Sequence, residues 1–149
     1  MAEAWTVIGV GNPMRGDDGV GAVVAKRVRG MPGVEHVIDD GDPFEVADLV
    51  QGGRRVLLLD ATRGGGVPGV VTVWEPRPGG ASRPQVGASS HGFGADAAIE
   101  LAAALGTLPD RVVVVGIEGE RFEGTGLSEA VAAAVDEAVA AVEAVVSDA

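Results

Sequence analysis

The sequence predicts an α/β fold of three layers, α-β-α. It comprises a five-stranded, mostly parallel twisted sheet with one antiparallel edge strand, and helices on both faces. Three observations lead there. The runs "WTVIGV" (5–10), "RVLLLD" (55–60) and "RVVVVGIEG" (111–119) are short, apolar and nearly unbroken by polar residues, which is how strands covered on both faces read. Helical spacing fills the intervals between strands, and such alternation builds doubly wound sheets. With 149 residues, 46% of them hydrophobic, the chain suits one domain spanning 1–149.

Each element has its own signal. "WTVIGV" opens the sheet. Val20, Val23, Val24 and Val28 then follow i, i+3, i+4, i+8, with Gly30 and Pro32 beyond as a stop. "EHVID" (35–39) is a weaker strand. "PFEVADLVQGG" offers Phe44, Ala47, Leu49 and Val50 to a second helix that Gly52 ends. After "RVLLLD", "GVVTVWEP" (69–76) alternates Val71 and Val73 against Thr72 and Trp74, as a half-exposed strand does. It follows its predecessor without a helix, which makes it the antiparallel edge. "HGFGADAAIELAAALG" aligns Phe93, Ala97, Leu101 and Leu105, with Gly106 as terminator. The last strand leads to "LSEAVAAAVDEAVAAVEAVV", whose stripe is Leu127, Val131, Val135, Val139, Val142 and Val146. Its acidic face reads as solvated surface. The loops "GGGVPG" (64–69) and "PRPGGASRPQVGASS" (76–90) are rich in Gly and Pro, and the second is long for a compact domain.

Composition narrows the chemistry. There is no cysteine, hence no disulfide, thiolate metal site or cysteine nucleophile. A formal charge of −11 repels polyanions, so no nucleic-acid partner is expected. No apolar run approaches the roughly 18 residues of a membrane span, so no membrane insertion is expected. "MAEAW" lacks the basic and apolar regions of a signal peptide, and the expected location is cytoplasmic.

In open α/β sheets, ligands bind beyond the carboxyl ends of the strands. The residues there are Gly11, Asn12, Asp17 and Asp18 after strand one, and Asp39, Asp40 and Asp42 after strand two. Asp60, Thr62 and Arg63 follow strand three, Ser89, Ser90 and His91 enter the third helix, and Glu118 and Glu120 end the last strand. Crowded carboxylates persist when protonated, cation-paired or metal-bound. Only Arg15 and Arg63 are near in sequence, so a divalent metal is the economical explanation. Two carboxylates and a histidine suit Ni, Zn, Mn or Fe(II). A predicted helix N-terminus keeps His91 neutral and able to ligate.

Each member also has a plain structural reading. One of Asp17 and Asp18 serves as N-cap of the first helix. Asp40 and Asp42 in "DDGDP" are turn residues. Asp60 ends a strand, His91 starts a helix, and His36 is structural within a strand. What favours a site is that all but His36 fall at one edge of the sheet.

Standard motifs fail. After Gly9 and Gly11 a dinucleotide fingerprint needs glycine at 14, which is Met14. Gly11 and Gly16 match the first half of a phosphate loop, but Asp17 and Asp18 replace its Lys and Ser/Thr and invert the charge. No "HExxH" and no G-x-S-x-G exist.

"GVGNPMRGDDGVG", "LLLDATRGGGVPG", "SSHGFGADAAIELAAALG" and "VVVVGIEGERFEGTGLSEAV" resemble, in order and spacing, the hydrogenase maturation proteases. The resemblance spans about residues 6 to 146. It implies a metal-dependent, aspartate-type endopeptidase that removes the C-terminal extension of a nickel–iron hydrogenase large-subunit precursor. The metal is then the substrate's own nickel, absent from the isolated protein if it arrives with the precursor. The implied ligands are Asp18, Asp60 and His91, with Asp40 as an assisting carboxylate. Gly11, Asn12, Asp17 and Gly41 are the positions expected along the substrate, and Gly19 and Gly21 are expected to leave room for the partner chain. Two departures stand out. The family's D-G-G-T-x-G element survives only as Asp40 and Gly41, and Gly119 stands where a proline is usual. A non-catalytic nickel-sensing chaperone or peptide-binding module would use the same ligands. The opening is also similar to that of peptidyl-tRNA hydrolases, "GLGNPG", but this chain has no Tyr and is acidic.

Overall fold

The three apolar runs become the adjacent central strands of a sheet. The computed structural model describes residues 4–41, 55–75, 88–89 and 109–147. Strands are β1 (Trp5–Val10), β2 (Val34–Gly41), β3 (Arg55–Arg63), β4 (Val71–Trp74), β5 (Ala88–Ser89) and β6 (Arg111–Glu118). A 3-10 turn at Gly16–Gly19 leads into helix α1 (Val20–Val28), and α2 (Glu129–Ser147) closes the described chain. The order is β2-β1-β3-β6-β4. The β1–β2, β1–β3 and β3–β6 ladders are parallel, and β4 runs antiparallel to β6 at the edge. The expected helices over 44–52 and 91–106 lie outside the described residues.

Alternation along β3 divides the core in two. Leu57, Leu59 and Ala61 join Val7, Val113, Val115 and Ile117 under α1 and α2. Val56 and Leu58 join Ile8, Val10, Val112 and Val114, with Trp74 packed against them on the other face. The predicted stripe of α2 is buried at Val131, Val135, Val142 and Val146, with Ala138 in place of Val139 at its centre. In α1, Val20, Val24 and Val28 are buried whereas Val23 is exposed. The stripe drifts because 3.6 residues per turn carry position 23 to its rim.

Two differences from expectation bear on function. β3 continues three residues past its expected end, to Arg63. Its pairing with β1 stops at Gly9↔Leu59, and the unforeseen β5 takes over that side at Thr62↔Ser89 and Arg63↔Ala88. Backbone groups beyond the end of β1 need partners, and β5 supplies them. Gly19 and Gly21, expected to admit a partner chain, are instead filled by this chain. A Cβ on Gly21 would lie 2.5 Å from the Leu59 carbonyl oxygen and 3.1 Å from the Val10 nitrogen, and one on Gly19 would lie 2.8 Å from Pro13 Cα. Helix α1 thus enters directly against the backbones of β1 and β3, which fixes the geometry of the loop between them. Gly21→Ala should destabilise the fold by about 1–3 kcal/mol, read from the urea midpoint, because the obstacle is backbone. An unchanged midpoint would refute this close packing.

Candidate functional site

The sheet order places the first crevice between β1 and β3. The chain leaves β1 toward β2 on one side and later enters β3 on the other, so loops at their carboxyl ends diverge there. Asp60 is the first β3 residue past the last β1 partner, and it lies opposite Gly116 of β6. It is buried, at 2% exposure. By strand alternation it shares a face with Leu58 and Thr62.

The loop after β1 turns at Gly11, whose φ of +125° is open to glycine and not to ordinary residues. A Cβ at Gly11 would also approach Cγ and Oδ1 of Asp18 at 3.1 Å. The exposed Asn12 makes an Asx turn, its Oδ1 accepting the Met14 N–H at 2.9 Å. Its own N–H donates to Oδ2 of Asp18 at 2.7 Å, which orients that buried carboxylate.

Asp17 has a different occupation. Its carboxylate accepts the N–H groups of Glu120, Arg121 and Ser128 at 2.7, 2.9 and 2.7 Å, and the Ser128 hydroxyl at 2.8 Å. Burial alone pushes its pKa up, but the hydrogen bonds from Arg121, Ser128 and Glu120 outweigh this and hold it below the ordinary value of 3.8. The expectation that Asp17 caps the first helix is therefore corrected. Neither the 3-10 turn nor α1 carries a side-chain cap bond. Asp17 instead binds the segment that starts α2, more than a hundred residues away. Fully enclosed, it also offers no surface to a substrate.

The remaining residues divide in the same way. Asp39 pairs with Arg29 at the surface, and His36 is exposed beside Glu35. Asp40 and Gly41 end β2, with Gly41 in register with Val10. His91 and Asp42 lie outside the described residues. Among the described residues no group of three or more His, Asp or Glu is arranged to hold a metal ion.

Sequence reasoning placed Glu118 at a strand end without giving it a partner. Its buried carboxylate accepts the Thr62 hydroxyl at 2.8 Å and the Gly64 N–H at 2.9 Å. The only signal for it in the sequence is an apolar strand that runs out in Glu. Beside it lies a cavity of about 530 Å³ between the 65–68 turn and residues 119–123. There the Arg63 guanidinium sits 4.1 Å from the Phe122 ring centroid. Gly119, the departure from the proline pattern, has a local cause. A Cβ there would press into the Phe122 ring and lie 3.2 Å from Asp17 Cβ.

The hydrogenase maturation protease family model matches residues 24–145. That span contains Asp40, Asp60 and His91 and begins after the first loop. The fold is similar to the hydrogenase maturating endopeptidase HybD of E. coli, at 20% identity and TM-score 0.73, covering 95% of this chain and 91% of that one. It is also similar to the [NiFe] hydrogenase maturation protease HybD of Thermococcus kodakarensis, at 23% identity and TM-score 0.71, covering 96% and 99%. HycI of the same organism matches at 20% identity and TM-score 0.71, covering 99% and 94%. No curated protein sequence gives a significant match. No helix among the described residues is long and apolar enough to cross a membrane.

Asp17 carries an acid-sensitive share of stability. Its folded pKa is depressed, so the contribution is present above the ordinary value of 3.8 and is lost as pH falls through the folded value. Asp17→Asn should lower stability at pH 7 by about 2–4 kcal/mol and flatten the decline below about pH 4. Parallel denaturant titrations from pH 7 to 2.5 check both. Curves that remain parallel for the two proteins would refute the assignment.

Proposed function

The chain belongs to the hydrogenase maturation protease family, and on that premise we propose a specific reaction for it. It removes the C-terminal extension of a nickel–iron hydrogenase large-subunit precursor after nickel insertion. The observation that carries this reading is the pair of buried carboxylates, Asp18 and Asp60, at the carboxyl ends of the adjacent strands β1 and β3. Oxygen donors of this kind suit a divalent cation. The Asn12 N–H bond to Asp18 is the sort of outer contact that orients a ligand.

Nickel is part of the substrate in this reading and marks the precursor as ready for cutting. Asp18, Asp60 and His91 receive it. Ser89 pairs in register with Thr62, two residues past Asp60 on β3. His91 follows two residues later, within about 7 Å of chain reach. Gly11, Asn12 and Gly41 lie along the approach of the substrate chain. Asp40, at the end of β2, orients the attacking water and takes its proton. Water oxygen then bonds to the peptide carbonyl carbon, the C–N bond breaks, and the proton passes to the departing amine. The protein acts as a metal-dependent, aspartate-type hydrolase in the cytoplasm.

Incubation with a nickel-loaded large-subunit precursor tests this by mass. The expected product is a shortened large subunit, while nickel-free precursor stays intact. Asp60→Ala and His91→Ala should each slow trimming by about a hundredfold or more with circular dichroism unchanged. Full activity in either variant would sink the metal-recognition model. Tight binding without any mass change would make the chain a nickel-sensing chaperone instead.

A further inference from the structure

The reaction above leaves Glu118 without a task, although it is a buried carboxylate. Its surroundings give it one. Besides the bonds from Thr62 and Gly64, its N–H donates to the Val70 carbonyl at 2.9 Å and its own carbonyl accepts the Gly69 N–H at 2.8 Å. Both ends of the 64–69 turn therefore close on one residue. At its far end the turn also packs on α2, where a Cβ on Gly69 would lie 2.8 Å from the Ala130 carbonyl oxygen, but its tip stands clear. Residues 64–67 are exposed, and nothing lies within 4 Å of where a Gly65 side chain would begin. An aliphatic side chain at 118 would leave the Thr62 hydroxyl and the Gly64 N–H without this acceptor.

The turn is one wall of the cavity at the carboxyl ends of β3 and β6, and residues 119–123 form the other. Its lining mixes Arg63 and Arg121 with Glu120 and Glu123 around the Phe122 ring. Mixed charge with one aromatic surface suits an extended polypeptide better than a polyanion. Thr62, which joins this wall to β3, is two residues from Asp60 on the same face of the strand.

We infer that Glu118 is a positioning residue that holds the 64–69 turn so that this cavity docks the substrate polypeptide beside Asp60. The inference rests on the endopeptidase reading above. Glu118 does not react. It keeps the docking wall in place, and its loss weakens substrate binding more than it slows bond cleavage.

Steady-state trimming of nickel-loaded precursor by Glu118→Ala and Glu118→Gln tests this. Glu118→Ala should raise KM about tenfold with kcat within about twofold. Glu118→Gln should restore KM. Its carbonyl can accept from Gly64 while its amide donates to Thr62, whose hydroxyl can reverse direction. A large loss of kcat that Gln does not rescue would make the carboxylate a reacting group and overturn the inference. An unchanged KM in Glu118→Ala would overturn it equally. If Glu118→Ala does not fold, Thr62→Val removes one bond alone, and the expected result is a KM rise of about threefold; no rise overturns the inference. A wild-type chain that trims nothing brings down the endopeptidase reading and the docking role with it. Amide hydrogen exchange at Gly64, faster in Glu118→Ala and normal in Glu118→Gln, then still decides whether Glu118 holds the turn.

Discussion

One buried carboxylate joins the first loop of this chain to the segment that enters its last helix. Asp17 sits in the first loop and gathers donors from Glu120, Arg121 and Ser128. Its own N–H donates to the Arg121 carbonyl, and the Gly16 N–H donates to the Gly124 carbonyl, both at 2.7 Å. An ionised carboxylate without such donors would cost several kcal/mol to bury. With them it becomes a crosslink between the loop after β1 and the segment entering α2. The first loop can then hold an irregular path, because its shape is set by residues 120–128.

That crosslink separates two adjacent aspartates that look equivalent. Asp17 faces the polypeptide that returns from β6. Asp18 is turned back toward Gly11 and Asn12 and takes a backbone N–H from Asn12. Glycine is needed where these paths run close: at Gly11 against Asp18, and at Gly21 against the backbone of β3. The loop has the glycine spacing of a phosphate cradle, but Asp17 and Asp18 stand where that motif carries Lys and Ser/Thr. The acid groups farther along follow the same division of labour. Asp60 stands in the interval where pairing with β1 has stopped and pairing with β5 has not yet begun. Glu118 ties the neighbouring turn.

The departure at Gly119 illustrates how the local sequence and the anchor are linked. Here the Phe122 ring occupies the space beside Gly119, and the Arg63 guanidinium lies over that ring. The same segment supplies two of the N–H groups that hold Asp17. A change in the loop after β6 therefore reaches both the cavity wall and the first loop.

Strand identity, the parallel character of the sheet and its antiparallel edge were legible because each depends on local patterning. Unbroken apolar runs mark strands covered twice, alternation marks an edge, and a missing helix between β3 and β4 marks a reversal. The candidate site was legible as a list, since polar residues at strand ends stand out against Val and Leu. By itself, then, the sequence determined that Asp17, Asp18, Asp60 and Glu118 would lie at the carboxyl edge of the sheet. Only the tertiary structure decided what Asp17 and Glu118 bind there. Whether Asp17 caps its own helix or anchors a distant segment turns on donors supplied by residues 120–128, and local spacing carries no record of a partner a hundred positions away. The same holds for Glu118 and Gly64. Long-range hydrogen bonds are fixed by which strands become neighbours, and that is a property of the whole sheet.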